Sequence, residues 1–426
     1  MSGGSGGTGE LRVALVCPYS LSRPGGVQGQ VLGLARNLAR RGHVVTVFAP
    51  VDGTSAAPAG VELVPTGHST ALPANGSVAP VSVSPRAARR SLGELFARAP
   101  DVIHVHEPFA PGLGYAVMGA RNVPPIVATF HRSGESALYT LLRPLTRAFA
   151  ARFAVRVAVS EAAAATARRA LGGNYEVLFN GVETDRYAGV VPWPTLGPTV
   201  LFLGRHEERK GLAFLLAAWR IFTDSVPAIP GRTGPPVLWV AGDGPATTEL
   251  RRRFPDSATV RWLGVVDEEE KVRRLLATDV LAAPSLGGES FGLVVLEGMA
   301  ARAVVVASDI DGYRDAAGGL AVLVPPGDAG ALAVALRGVL DGALAPEAPG
   351  GVAGAVADDP PDDPPDDPPH DPLHDARDDH GGTRLDSVGR ATWLEAGAER
   401  ADRWSMERLA VRYEDLYRDV VVGRVP

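Results

Sequence analysis

The sequence predicts an α/β protein made of two doubly wound parallel-sheet domains, and three observations carry that assignment. Short apolar runs alternate with helical stretches through most of the 426 residues, the signature of βαβ units whose strands are covered on both faces. The alternation breaks at the Pro/Gly-rich segment Val191-Pro-Trp-Pro-Thr-Leu-Gly-Pro198 and then restarts, which places a hinge near residue 195. Apolar residues make up 46% of the chain, ample for two cores.

The elements follow in order. Residues 1–10 begin with Met1 to Gly9, all Gly, Ser and Thr after the Met; without a basic n-region or an apolar stretch they read as a flexible tail and not a signal peptide. In the first Rossmann-like domain, residues 11–195, the strand-like runs are Leu11 to Cys17, Val44 to Ala49, Val102 to Val105, Ile126 to Thr129 and Val155 to Val159. In the second, residues 196–404, they are Thr199 to Leu203, Val237 to Ala241, Val280 to Ala283 and Val304 to Ala307. The pattern fails within the second domain over residues 345–382, where Asp-Asp-Pro-Pro occurs three times in tandem from Asp358 with no aromatic residue nearby. Such a stretch buries too little apolar surface to offset its ordering entropy and reads as a disordered acidic insertion. Helical pattern returns at about Arg384, and Ser405 is a candidate N-cap for a last helix, residues 405–421.

Composition narrows the function. The single cysteine, Cys17, excludes an intramolecular disulfide and fits a reducing cytosol. No apolar run approaches the ~20 residues of a spanning helix, so any membrane contact is expected to be peripheral. From Asp358 to Asp379 there are ten Asp and one Arg, so the remaining residues hold +3 of the chain's net −6. Mild basicity suits an anionic nucleotide or lipid headgroup and is too little for a nucleic-acid face.

The residues with chemistry gather at strand ends. In Ser285-Leu-Gly-Gly-Glu-Ser-Phe-Gly-Leu-Val-Val-Leu-Glu297, seven residues separate Glu289 from Glu297 in a glycine-rich loop running into an apolar helix. Both carboxylates are expected toward the helix N-terminus, where unpaired N–H groups and the positive end of the dipole suit a phosphate. On spacing alone, a turn before a core helix with solvated glutamates explains the stretch equally well. Phe202-Leu-Gly-Arg-His-Glu-Glu-Arg-Lys-Gly211 sets Arg205, Arg209 and Lys210 at the carboxyl end of a strand, the ligand side of open α/β sheets. Pro18-Tyr-Ser-Leu-Ser-Arg-Pro-Gly-Gly-Val-Gln28 ends the first strand, and Gly25 and Gly26 remove side chains where a phosphate could approach a helix start. Val266, Asp267 and Lys271 follow another strand-end turn, where Asp267 reads equally as a helix N-cap. His104 and His106 look like a metal pair, yet residues two apart on a strand merely share a face and no third ligand is evident. Arg86, Arg89 and Arg90 share one helical face that would either attract anionic lipid or simply be solvated.

These motifs resemble the retaining glycosyltransferases of family 4, which have the GT-B fold: two Rossmann-like domains with a cleft between them and a final helix crossing back to the first. The matching stretches also include Val16-Cys-Pro-Tyr-Ser20, Asn75-Gly-Ser-Val-Ala79, His104-Val-His-Glu-Pro108, Ala128-Thr-Phe-His131, Leu142-Arg-Pro144 and Gly287-Gly-Glu-Ser-Phe-Gly292. They are most similar to the actinobacterial branch that moves mannose from GDP-mannose to the inositol of phosphatidylinositol. The resemblance implies catalytic roles for His131, Glu289, Arg205 and Lys210. It implies donor contacts at Gly26, Arg205, Arg209, Lys210, Val266, Asp267, Lys271, Glu289, Ser290, Phe291, Gly292 and Glu297, the last on the ribose. Tyr19, Gln28 and Asn75 correspond to its acceptor pocket, and Arg86, Arg89 and Arg90 to part of a membrane-binding helix. A peripheral place on the inner face of the plasma membrane follows from it. The chemistry needs no tightly bound cofactor or metal, and any Mg²⁺ dependence would be accessory. Two positions depart from the branch: Ala74 replaces an aromatic residue and Pro80 an acceptor-binding Arg. A different donor or acceptor, or a silent lipid-binding protein of the same fold, are the competing expectations.

Overall fold

The computed structural model describes residues 9–23, 25–53, 57–74, 77–132, 143–224, 234–289, 291–342 and 387–424, and all that follows concerns these. The chain divides into two units, Met1–Gly181 with Met406–Pro426, and Val182–Ser405.

The first unit is built on the sheet order β3-β2-β1-β6-β7-β8-β9. Its strands are β1 (Arg12–Val16), β2 (Val44–Ala49), β3 (Val61–Pro65), β6 (Val102–His106), β7 (Ile126–Phe130), β8 (Val155–Ala158) and β9 (Glu176–Val177), every pair parallel. A separate antiparallel hairpin joins β4 (Thr70–Ala74) to β5 (Ser77–Val81). The helices are α1 (Gly26–Arg40), α2 (Pro85–Ala97), α3 (Leu113–Gly119), α4 (Arg143–Ala150) and α5 (Glu161–Leu171). Every residue of β6 and β7 is buried, as expected of central strands covered on both faces. Their side chains build a core with Phe48, Met118, Phe109 and Phe153.

The second unit has the order β12-β11-β10-β13-β14-β15, with β10 (Thr199–Leu203), β11 (Val237–Ala241), β12 (Val260–Gly264), β13 (Val280–Ala283), β14 (Val304–Ser308) and β15 (Val322–Val324). Around it lie α6 (Leu212–Asp224), α7 (Thr247–Arg253), α8 (Glu268–Ala277), α9 (Leu293–Ala300), α10 (Asp311–Ala317), α11 (Ala329–Leu340) and α12 (Ser387–Arg403). The core is Val200, Phe202, Leu215, Leu238, Val240 and Val306, closed by Trp219 against Phe222 with ring centroids 5.1 Å apart.

Each sheet has one place where the strand order reverses direction, between β1 and β6 and between β10 and β13. Ligands of open α/β sheets bind outside the carboxyl ends of the strands at such a point. The segments leaving those ends begin at Cys17 and Glu107 in the first unit, and at Gly204 and Pro284 in the second.

Two differences from the sequence reading have physical causes. The division falls at Gly181–Val182 instead of near 195, because the intervening segment is pinned to the second unit: Arg186 pairs with Glu268 at 2.7 Å, and Trp193 stacks on Arg274 at 4.1 Å. Strands β3, β9, β12 and β15 and the β4–β5 hairpin escape the apolar-run pattern. β3 and β12 are edge strands with exposed charged residues, Glu62 and Arg261, and the hairpin carries Pro73 and Pro80. The last helix, α13 (Met406–Val421), belongs with the first unit, where Arg41 donates to Glu414 at 2.5 Å. The acidic segment 345–382 lies outside the described residues.

Candidate functional site

In the second unit the loop after β10 meets the loop after β13. The 3-10 turn Glu208–Lys210 ends at Gly211, left-handed at φ +69°, where a Cβ would lie 1.8 Å from the Pro284 carbonyl oxygen. Only glycine allows the two loops to touch there. The Leu286 N–H, donating to the Arg209 carbonyl at 2.7 Å, ties them together.

That contact delivers Glu289 to the cations. Lys210 Nζ and Arg209 Nη1 each stand 2.7 Å from Glu289 Oε1, and Ser285 Oγ lies 3.4 Å from the same oxygen. Ser285 in turn shares a hydrogen bond of 2.8 Å with Tyr313, whose phenol burial pushes above its ordinary range, with Glu289 adding to the effect. Gly312 backs the loop, since a Cβ there would sit 2.3 Å from the Glu289 carbonyl oxygen. Arg205 takes a different partner: Glu207, nearly fully buried, lies 3.0 Å from Arg205 and 3.1 Å from Arg209. Glu207 was not singled out in the sequence, where a carboxylate among basic residues reads as solubilising. Its signal is the pairing itself, which requires the fold.

Glu297 is held separately from Glu289. Lys271 Nζ is 3.1 Å from Glu297 and 2.9 Å from Glu268, and Glu268 continues to Arg186 at 2.7 Å. Burial opposes the charge on Lys271, but the two glutamates outweigh it and its pKa stands above the ordinary value. Gly292 supplies the left-handed N-cap of α9 at φ +78°. Phe291 is buried with its ring 5.1 Å from Trp404, so its side chain is a packing group. Asp267 caps α8 by accepting the Glu270 N–H at 2.8 Å, and Val266 is half-buried just before it. Ser290 lies outside the described residues.

In the first unit, Tyr19 bridges to Val81 and the Ser20 N–H donates to the Pro80 carbonyl at 2.8 Å, strapping the loop after β1 to the hairpin. Gln28 is buried and donates its amide to the carbonyls of Ser20 at 3.3 Å and Arg23 at 3.2 Å. It therefore braces the loop from within. Gly26 begins α1 with nothing within 4 Å of where a Cβ would stand, leaving the helix start open. Asn75 lies outside the described residues.

Beside this loop stands His131, past the end of β7. Its N–H donates to Glu107 Oε1 at 2.7 Å, and its Nε2 is 2.9 Å from His106 Nδ1. Burial drops His131 to about 4 despite a side-chain hydrogen bond with Asn180, so the ring is neutral at pH 7. Burial likewise raises the Glu107 carboxyl, and Glu107 adopts φ +45°, rare for a side chain of its size. His104 is satisfied by Tyr417 at 2.6 Å and Thr129 at 2.7 Å; its place is in the core. Among the described residues no cluster of three or more His, Cys, Asp or Glu is placed to hold a metal.

On α2, Ser84 caps the helix by accepting the Ala87 N–H at 3.3 Å, and Arg86, Arg89 and Arg90 are exposed. Arg98 does not join them, being paired with Glu62 at 2.7 Å and Glu94 at 2.9 Å. No described helix is long and apolar enough to cross a membrane.

Comparison with known proteins matches both units. The family model described as Glycosyltransferase Family 4 matches residues 24–186, and that described as Glycosyl transferases group 1 matches residues 197–342. The phosphatidyl-myo-inositol mannosyltransferase of Mycobacterium tuberculosis (strain CDC 1551 / Oshkosh) is 39% identical over 342 residues, covering 78% of this chain and 88% of that one. Its counterpart from Mycolicibacterium smegmatis is 40% identical over 340 residues, covering 78% and 85%. Among solved structures, sucrose-phosphate synthase from Thermosynechococcus elongatus superposes with a TM-score of 0.64 at 18% identity, covering 96% of this chain and 99% of that one.

Proposed function

The chain belongs to glycosyltransferase family 4 and has the GT-B fold, and from that premise we propose that it is a retaining α-mannosyltransferase moving mannose from GDP-mannose to the inositol 2-position of phosphatidylinositol. The observation that carries the donor half is Glu289 held between Lys210 and Arg209 at the reversal point of the second sheet. The acceptor half is supported by the names of relatives 39% and 40% identical.

In this reading the diphosphate takes the cations from Glu289, which then orients mannose hydroxyls. Arg205, Arg209 and Lys210 offset the charge growing on the β-phosphate as the bond from mannose C1 to its oxygen breaks. The inositol hydroxyl attacks C1 from the same face and its proton passes to the departing phosphate oxygen, so configuration is retained and no coordinated metal is required. Glu297, paired with Lys271, accepts from the ribose hydroxyls. Tyr19 faces the acceptor, the open start of α1 at Gly26 suits a donor phosphate, and the exposed Arg86, Arg89 and Arg90 hold the chain on the cytoplasmic face of an anionic membrane.

One observation favours a second reading, a family 4 transferase with another acceptor: position 80 is a proline whose carbonyl is already bonded to Ser20, so it offers no cation to an inositol phosphate. One experiment separates them. Purified protein is given radiolabelled GDP-mannose, UDP-glucose or UDP-N-acetylglucosamine with phosphatidylinositol vesicles, and lipid-extractable label is expected from GDP-mannose alone. Label from a UDP-sugar overturns the donor; GDP-mannose consumption that ignores phosphatidylinositol overturns the acceptor.

A further inference from the structure

We infer that His106 is a positioning residue that fixes the tautomer of His131, leaving the ring proton of His131 on Nδ1. The parallel register of β6 and β7 sets His106 beside Thr129, two residues before His131, so the chain leaving β7 carries the second imidazole over the first. The rings stack with centroids 5.2 Å apart, and His106 Nδ1 lies 2.9 Å from His131 Nε2. Two ring nitrogens at that distance need one proton between them.

Which of them carries it follows from the other side of the His106 ring. His106 Nε2 is buried and finds no hydrogen-bond partner among the described residues. A proton there would be an orphaned buried donor, rarer and more costly than an under-used acceptor. His106 is therefore protonated on Nδ1 and donates to His131 Nε2. With its Nε2 accepting, the neutral His131 ring keeps its proton on Nδ1. The His131 N–H is already committed to Glu107 at 2.7 Å. Held at its backbone N–H and at Nε2, His131 meets a substrate in one fixed ring orientation, with its proton on Nδ1. His104, its ring 4.1 Å from that of His106, has both nitrogens bonded and plays no such part.

The kinetic consequence rests on the transferase reading; the tautomer does not. Protein labelled with ¹⁵N-histidine is examined at pH 7.5 by two-bond ¹H–¹⁵N correlation, with His131 assigned by the signal lost in His131→Asn. The expected result is the Nδ1–H form in the wild type. In His106→Leu that form is lost, and kcat for mannosyl transfer falls about tenfold or more while KM for GDP-mannose moves less than about threefold. His106→Asn, which places an amide donor near the former Nδ1, restores both. An Nε2–H signal for His131 in the wild type overturns the inference, as does a folded His106→Leu protein with wild-type kcat. Absence of mannosyl transfer by the wild type would defeat the transferase reading alone, since the tautomer is still read.

Discussion

In the proposed reaction Glu289 is the residue on which donor binding turns, because Lys210 and Arg209 both close on one of its oxygens. Glu289→Gln keeps the shape and removes the charge, and steady-state assays with GDP-mannose should show kcat reduced by about 10²-fold, with a smaller change in KM. Lys210→Ala should lose a comparable factor. Wild-type turnover in either would remove these residues from the mechanism. Arg205, Lys210, Glu289 and Glu297 can be picked out as candidates in the sequence because each stands in a short motif beside glycines at a strand end. Glu107 and Glu207 cannot, since what marks them is partners and burial that no local pattern records. Gln28 is legible as a residue of the first turn of α1, but its amide turns inward to Ser20 and Arg23, a choice set by packing.

Elements succeed or fail by how they close on one another. At Gly211 a Cβ would collide with the Pro284 carbonyl while the backbone sits at φ +69°, so Gly211→Ala should destabilise the second unit by about 2–4 kcal/mol and weaken GDP binding, as read by denaturant unfolding and calorimetry. Gly26→Ala is the control: nothing lies within 4 Å of its Cβ position, and unfolding should be unchanged within about 1 kcal/mol. The central strands are readable because burial on both faces demands runs rich in Val, Ile, Leu and Ala, broken in β6 only by His104 and His106. Edge strands answer to water on one side and lose that signal, as Glu62 and Arg261 show. Helix α2 has a further expected outcome. Replacing Arg86, Arg89 and Arg90 together by Gln should lower partitioning onto anionic vesicles by about 10²-fold at 0.1 M salt, from ~1 kcal/mol each, measured by vesicle sedimentation. Unchanged partitioning would make this face merely solvated.

At the scale of the whole molecule, three buried imidazoles make stability depend on pH. Burial holds His104 to about 3, His131 to about 4 and His106 well below the ordinary 6.5. The unfolded chain binds protons at these sites before the folded one does, so their contribution is complete above about pH 6.5 and is lost as pH falls toward 4. Unfolding measured from pH 7.5 to 5 should show stability falling with a limiting slope of about 1.4 kcal/mol per pH unit for each histidine. His106→Asn should flatten that slope by one proton's worth; an unaltered slope would mean that His106 does not exclude its second proton. The first unit also draws on both ends of the chain: Tyr417 reaches His104 across 313 positions and Glu414 reaches Arg41 across 373. During synthesis the second unit, one uninterrupted stretch, can finish folding while the first still lacks its last helix. A polypeptide that stops short of Met406 lacks Tyr417 and Tyr413, the partners of His104 and Thr129, so the half holding His131 has its full set of contacts only once synthesis has reached the last helix.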